Sequence, residues 1–287
     1  APIPGRNLVG IEIPNKSIEI VSLKSILDSE IMRKTESKLA IPMGLDMNGN
    51  PVIANIGSMP HALITGTTGS GKSVMLNSFI ASLLFRASPD EVKLILIDPK
   101  GIEFMEYKGI DHLLTPVVEK VEKVIPALKL AVDEMDRRYK LFAEKGFRSI
   151  DDYIESFESL DLPYIVIFID ELADIASIEV EYSLAKFTQR GRAAGIHLIM
   201  ATQKPSKDVI PKEIESNIPA RIGFYSPNGQ EFANTQNIPG EYQLLDKGGV
   251  HFLAPQQRES MQVQGAYISD KEIRNLVKYI KTESKAQ

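Results

Sequence analysis

The sequence predicts a doubly wound α/β fold, and three observations carry the prediction. Strand-like apolar runs alternate with helical patterns over most of the chain. The first four runs, at 62–65, 93–98, 164–170 and 196–202, are nearly continuously hydrophobic, as expected of central parallel strands buried on both faces. Between the first run and the helix after it lies a loop of Gly, Thr and Ser, and such a loop offers backbone N–H groups to an anion.

Residues 1 to about 40 read as a small α/β lead-in region, with one helix expected over 22–35. The remainder, 41–287, reads as the main domain. It opens with Asn48-Gly49 between two strand-like runs, a strong hairpin signal. The hairpin leads into the run at 62–65, the glycine-rich loop and an apolar helix. A later helix shows Leu128, Val132, Met135, Tyr139 and Phe142 at helical spacing, with Gly146 placed to cap its C-terminus. Further strand-like runs follow at 220–225, 250–253 and 261–267. A closing helix starts at Ser269, whose spacing to Glu272 makes a capping box. No internal repeat or low-complexity tract interrupts this order.

Composition narrows the chemistry. The 287 residues contain no cysteine, so thiolate zinc sites, disulfides and cysteine nucleophiles are excluded. Four scattered histidines argue against a histidine metal site. No window approaches 18 consecutive apolar residues, and the opening APIPGRNLVGIEIPNK lacks a signal pattern and reads as an excised fragment. A net charge of −5 weighs against indiscriminate nucleic-acid binding, but the charge is uneven. Residues 151–185 carry ten acids and no Lys or Arg, whereas 186–212 carry six basic residues and one acid. The basic stretch is either a solvated face or a surface that meets phosphate.

The loop at 66–73 fits G-x-x-x-x-G-K-[ST] through Gly66, Gly71, Lys72 and Ser73. Chance supplies those four fixed positions in roughly one chain in a hundred of this length. Glycine lets the N–H groups of Thr67, Thr68, Gly69, Ser70 and Gly71 turn toward one point, and Val74 continues the first turn of the helix. Lys72 supplies a charge for the β and γ phosphates, and the Ser73 hydroxyl is placed to ligate Mg²⁺. ATP with Mg²⁺ is therefore the expected ligand. Such a loop needs an acidic partner at the end of a neighbouring strand, and YIVIFIDELAD provides Asp170 for the metal and Glu171 as general base. In MATQKPS, Gln203 stands where a γ-phosphate sensor belongs. Arg190 and Arg192 precede that strand. The residues themselves leave open whether either reaches a neighbouring subunit's γ-phosphate or makes a surface ion pair.

The blocks MPHALITGTTGSGKS, LILIDPK, EMDRRYKLFAEKGFRSIDDY, LPYIVIFIDELAD, RAAGIHLIMATQKPS and SNIPARIGF, in this order, resemble the motor domain of the FtsK/SpoIIIE family of DNA translocases. The resemblance runs from about residue 9 to 275. It implies a RecA-like P-loop NTPase core with a mostly parallel sheet, working as a homohexameric ring that pumps double-stranded DNA with ATP. Chromosome segregation and mobile-element transfer are the uses it implies. By matching position, Lys72 and Ser73 take the nucleotide and metal roles, Asp170 and Glu171 the metal and base roles, and Gln203 the sensor. Arg192, rather than Arg190 or Arg221, takes the place of the trans-acting arginine. The resemblance also implies a cytoplasmic motor anchored to a membrane only through segments outside these 287 residues.

Three departures fall where DNA contacts are expected. Lys204 stands where the family usually has arginine, which keeps a cation but loses the fork geometry. Glu215 stands where a lysine is common. The family's basic SKIDSRTILD loop is replaced by SPNGQEFANTQN at 226–237, with Ser226, Asn228, Gln230 and Asn234 as polar substitutes. Lys204, Lys207 and Lys212 remain as candidate DNA contacts. Two rivals follow: a related ATPase that drives protein secretion, suited to an acidic chain with few basic pore residues, and a scaffold that binds ATP without turnover.

Overall fold

The structure, a computed structural model, describes residues 20–157, 162–224, 248–255 and 257–283. Its apolar runs form β1 (Ala40–Asp46), β2 (Pro51–Asn55), β3 (His61–Thr65), β4 (Val92–Ile97) and β5 (Tyr164–Ile169). After them come β6 (Ile196–Thr202), β7 (Ala220–Phe224), β8 (Gly249–Leu253) and β9 (Met261–Gly265). Among the described residues these make one nine-stranded sheet in the order β2-β1-β9-β8-β7-β3-β6-β5-β4. The half from β7 to β4 is parallel, and the half from β2 to β7 is antiparallel.

The parallel half is apolar on both faces because both faces are covered. Along β4, Leu94 and Leu96 point into one core while Ile95 and Ile97 point into the other, as period-two alternation requires. The first core receives Leu76, Phe79, Ile80 and Leu83 from α3 (Lys72–Arg86) and Ile273 and Val277 from α8 (Asp270–Glu283). The second receives Leu128, Val132 and Met135 from α4 (Val121–Lys145) and Leu184 and Phe187 from α6 (Ile178–Ala194). Each fully buried Leu, Ile or Phe stabilises the fold by about 1.5–3 kcal/mol relative to exposure. The result is a three-layer α/β fold, as the alternation of runs predicts.

Caps and turns stand where the sequence places them. Gly146 closes α4 at φ 80, in the left-handed region. The Ser269 N–H and hydroxyl donate to Glu272, whose own N–H donates back to Ser269 Oγ. In the hairpin, Gly49 lies at φ 79 and the Asp46 carboxylate accepts from the N–H groups of Asn48 and Asn50.

Four expectations are corrected. The helix expected over 22–35 is two short helices, α1 (Leu23–Leu27) and α2 (Glu30–Lys34). Ser29 divides them, because its hydroxyl accepts from the Met32 N–H and caps the second. The long helix begins well before Leu128 and accommodates Pro126, which lies near its start. Its apolar face, with Val124 and Ala127 buried, outweighs the one backbone bond proline removes. The run at 93–98 is not a central strand but the outermost one of the parallel half. Its edge is filled by the segment 112–118: the Leu94 N–H donates to His112 O, and the Leu114 N–H to Leu94 O. Lastly, β5 is not next to β3, since β6 lies between them.

Residues 20–40 share the first core. Leu23 and Ile26 of α1 are buried in it, and the Leu23 N–H donates to Tyr267 O while the Tyr267 N–H donates to Val21 O. Among the described residues, two further short α-helices are α5 (Ile150–Phe157) and α7 (Lys212–Glu215).

Two buried histidines at the start of the parallel strands predict a pH dependence. His61 and His197 are each 1% exposed. Burial pulls His61 down to about 3 and His197 down to about 4. Both are therefore neutral in the folded state, while the unfolded chain takes up protons below about pH 6.5. Their contribution is complete above 6.5 and is lost as pH falls, by up to about 1.4 kcal/mol per pH unit per histidine. Denaturant unfolding between pH 7.5 and 5 should show this slope, and His197→Leu should flatten it. A slope unchanged in that variant would assign the acid sensitivity elsewhere.

Candidate active site

The site begins where β3 ends. Gly66, Gly69 and Gly71 sit at φ 155, 78 and 122, and they turn the chain from Thr65 into α3. Two of them also make room for a neighbour. A Cβ on Gly66 would lie 2.6 Å from Phe224 Cβ, and one on Gly71 would lie 2.8 Å from Phe224 Cε1. The loop Thr67–Gly71 thus precedes a helix of 15 residues, whose free N–H groups and dipole face it. Lys72 is only 7% exposed, and its ammonium donates to Gly66 O at 2.6 Å and Thr67 O at 3.0 Å. Burial lowers its pKa, while Glu171 and Asp170 pull it back toward the charged form.

Asp170 follows β5 directly. The Ser73 hydroxyl donates to Asp170 Oδ1 at 3.4 Å, so the two expected metal ligands stand side by side. Burial, then Glu103 and Asp98, push the Asp170 carboxyl up to about 6, against the opposing pull of Lys100. A buried carboxyl raised chiefly by burial and neighbouring acids favours a cation, and hard oxygen donors beside it suit Mg²⁺. The residues fit that ion.

Glu171 is 4% exposed and held by the tip of β6. Its Oε1 accepts from Thr202 Oγ1 at 2.7 Å and from the Gln203 N–H at 3.1 Å. Gln203 in turn reaches the phosphate loop, where its Oε1 accepts from Thr68 Oγ1 at 2.7 Å. The strand between β3 and β5 is therefore part of the site: it fixes the Glu171 carboxylate and spans to the loop. Ser70, Gly71 and Val74 border an apolar cleft shared with Met75, Phe224 and Tyr267.

Sequence reasoning missed several groups. Thr202 carries no motif of its own and emerges only when β6 is placed beside β5. Asp98 is fully buried and accepts from the N–H groups of Gly101, Glu103 and Phe104, shaping the turn that brings Lys100 and Glu103 near Asp170. Lys100 pairs with Asp174 at 3.2 Å. The signal available was the DPKG block itself, an acid followed by a glycine at a strand end.

Arg192 is not brought to this edge. It lies in the last turn of α6, just before β6 begins, whereas Gln203 follows the end of β6. Seven strand residues separate the two ends, a span of about 20 Å. Arg192 is exposed, in a groove with Glu36, Lys38, Asn55, Glu91 and Tyr164. Arg190 makes the surface ion pair, to Asp136 at 3.4 Å, and its guanidinium stacks 4.3 Å from the Tyr139 ring centre. Arg221 is buried and donates to Glu215 O, a structural role. Lys204, Lys207 and Lys212 are all exposed, on the chain leaving β6. The loop at 226–237 lies outside the described residues.

The chain has relatives among known proteins. The FtsK/SpoIIIE family profile matches residues 22–207. The DNA translocase SpoIIIE of Bacillus subtilis is 45% identical across the whole of this chain, which spans 38% of that protein's length. Among solved structures, the pCW3 conjugation coupling protein TcpA, in monomer form with ATPγS, is 26% identical with a TM-score of 0.73 over 87% of this chain and 72% of that one. The cytoplasmic domain of the Thermomonospora curvata type VII secretion ATPase EccC matches with a TM-score of 0.77 at 22% identity, over 92% of this chain and 34% of that one. That last likeness shows the shared fold alone.

The hold on Glu171 gives a direct test. Thr202→Val keeps the shape of the residue and removes the hydroxyl that donates to Oε1. Turnover of ATP should fall roughly tenfold or more, with nucleotide affinity unchanged, because an oriented group misplaced slightly loses rate rather than binding. Unchanged steady-state hydrolysis would show that Thr202 does not orient the carboxylate.

Proposed function

The chain belongs to the FtsK/SpoIIIE family, and from that premise we propose that it is an ATP-driven motor that translocates double-stranded DNA as a homohexamer. The observation that carries the reading is the meeting of Lys72, Ser73, Asp170, Glu171 and Gln203 at one edge of the sheet while Arg192 stands at the other.

Each side chain then has a task. The loop N–H groups and Lys72 bind the β and γ phosphates, exchanging the loop carbonyls that Lys72 now holds for phosphate oxygens. Ser73 and Asp170 would hold Mg²⁺, which would supply positive charge to offset that of the phosphates. Glu171 orients the attacking water and takes its proton, with its own oxygens fixed by Thr202 and the Gln203 N–H. Gln203, bonded to Thr68, registers whether the γ-phosphate is present. Arg192 precedes the start of β6, a strand of about 20 Å whose far end faces its own loop, so the phosphate it serves belongs to the adjacent copy. Lys204, Lys207 and Lys212 supply exposed charge for the DNA backbone.

We place the motor in the cytoplasm, as part of a longer membrane-anchored protein; no described helix is long and apolar enough to cross a membrane. Polypeptide export is set aside, because the relatives at 45% identity are named DNA translocases while the secretion ATPase shares only the fold.

Steady-state ATP hydrolysis, with and without long linear duplex DNA across a salt series, tests the proposal. DNA should stimulate turnover, and the stimulation should collapse as salt rises, by about one unit of log–log slope per phosphate contact. Turnover indifferent to DNA would reject DNA as the substrate. Lys72→Ala should abolish nucleotide binding. Arg192→Ala should keep binding but lose turnover by on the order of 10³-fold. Normal hydrolysis in that variant would remove Arg192 from the mechanism.

A further inference from the structure

Arg138 is 1% exposed, a costly position for a guanidinium unless each inward-pointing donor finds an acceptor. It finds three. Nε donates to Glu134 Oε1, Nη1 to Ala194 O and Nη2 to Pro163 O, each at 2.8 Å. Burial would raise the Glu134 carboxyl, but bonds from Arg137 and Arg138 outweigh it and hold the acid below its ordinary range. The ion pair is thus kept charged inside the fold.

The acceptors identify what is being held. Ala194 is the last residue of α6, whose final carbonyls have no partner within the helix. Gly195, in the left-handed region at φ 70, returns its N–H to Arg192 O and Gly191 O. Arg138 takes the Ala194 carbonyl that this cap leaves free. The next residue of α4 continues the grip, since Tyr139 Oη donates to Arg190 O at 2.8 Å with its ring stacked on the Arg190 guanidinium. Arg192 lies between the two fastened positions, and its side chain stands in the solvent-exposed groove. The other carbonyl on Arg138, Pro163 O, precedes β5, at whose far end stand Asp170 and Glu171.

We propose that Arg138 and Tyr139 are positioning residues for Arg192, fixing the last turn of α6 so that its guanidinium is presented to the phosphate site of an adjacent copy. The inference rests on the reading of Arg192 as a trans-acting group. It adds that α4, which carries none of the residues assigned to the phosphate site, sets the efficiency of hydrolysis in a neighbour and not in its own subunit.

The test uses Arg138→Lys, which keeps the charge but loses the fork that reaches two carbonyls, and Tyr139→Phe, which removes one hydroxyl and keeps the ring. In rings of either variant alone, kcat for ATP with duplex DNA should fall, roughly 10- to 100-fold for Arg138→Lys and less for Tyr139→Phe, at unchanged KM. Each variant is then mixed with Lys72→Ala, which binds no nucleotide but offers an intact Arg192. Turnover should recover, as it should when Arg192→Ala is mixed with Lys72→Ala. Recovery with Arg192→Ala but not with Arg138→Lys or Tyr139→Phe would overturn the inference, because the defect would then lie in the variant's own site. Normal kcat in both variants would overturn it as well. If Arg192→Ala itself fails to recover, the trans reading falls first, and the positioning role falls with it.

Discussion

The constraint on which the site depends is that β3, β6 and β5 run parallel and side by side. Parallel strands deliver all their C-terminal ends to one edge, so residues far apart in sequence arrive together. The loop after β3 brings Lys72 and Ser73, the end of β5 brings Asp170 and Glu171, and β6 between them brings Thr202 and Gln203. Spacing within each motif is local, but the distances between motifs follow from strand pairing: Ile64 lies opposite Ala201, and Ile169 opposite Met200. The same geometry sends Arg192 to the other edge. A single sheet therefore carries the glycine-rich loop with Lys72 and Ser73 at one edge and Arg192 at the opposite one.

Polar groups buried in this fold are concentrated where they fasten one element to another. Asp98 closes the turn after β4, Glu171 ties β5 to β6, and Arg138 ties α4 to the end of α6 and the start of β5. Each would be destabilising alone, since a buried charge without partners loses several kcal/mol of solvation. Each is satisfied in part by backbone N–H or C=O groups at a turn, strand end or helix end, with Thr202 and Glu134 adding side-chain partners for Glu171 and Arg138. The chemistry of the site and the stability of its frame thus draw on backbone groups of the same kind.

Much of this was legible in the sequence because glycine loops, apolar runs and capping residues are local signals. The phosphate loop, the four runs, the Gly146 cap and the Ser269–Glu272 box all reported themselves within a few residues. What the sequence hid was order across the sheet. Nothing in the run at 93–98 tells that it is the outer strand, because the segment 112–118 supplies the cover a second strand would give. Thr202 reads as an ordinary β-branched strand residue until β6 is set beside β5. The break at Ser29 was missed for another reason: an N-cap serine inside a helical pattern looks like any polar surface position, and only the bond from Met32 distinguishes it.

The backbone bonds that reach the glycine-rich loop from beyond β7 set how small a working piece of this chain can be. Gly248, just before β8, donates its N–H to Ser70 O, and Gly265, at the end of β9, donates to Gly248 O. The loop is thus wedged between its own helix and the strands on the antiparallel side. A fragment trimmed after the last parallel strand would keep every motif residue yet lose the abutment that braces the loop. The boundary of the nucleotide-binding unit, for anyone excising or grafting it, lies beyond Gly265 and not at the final motif.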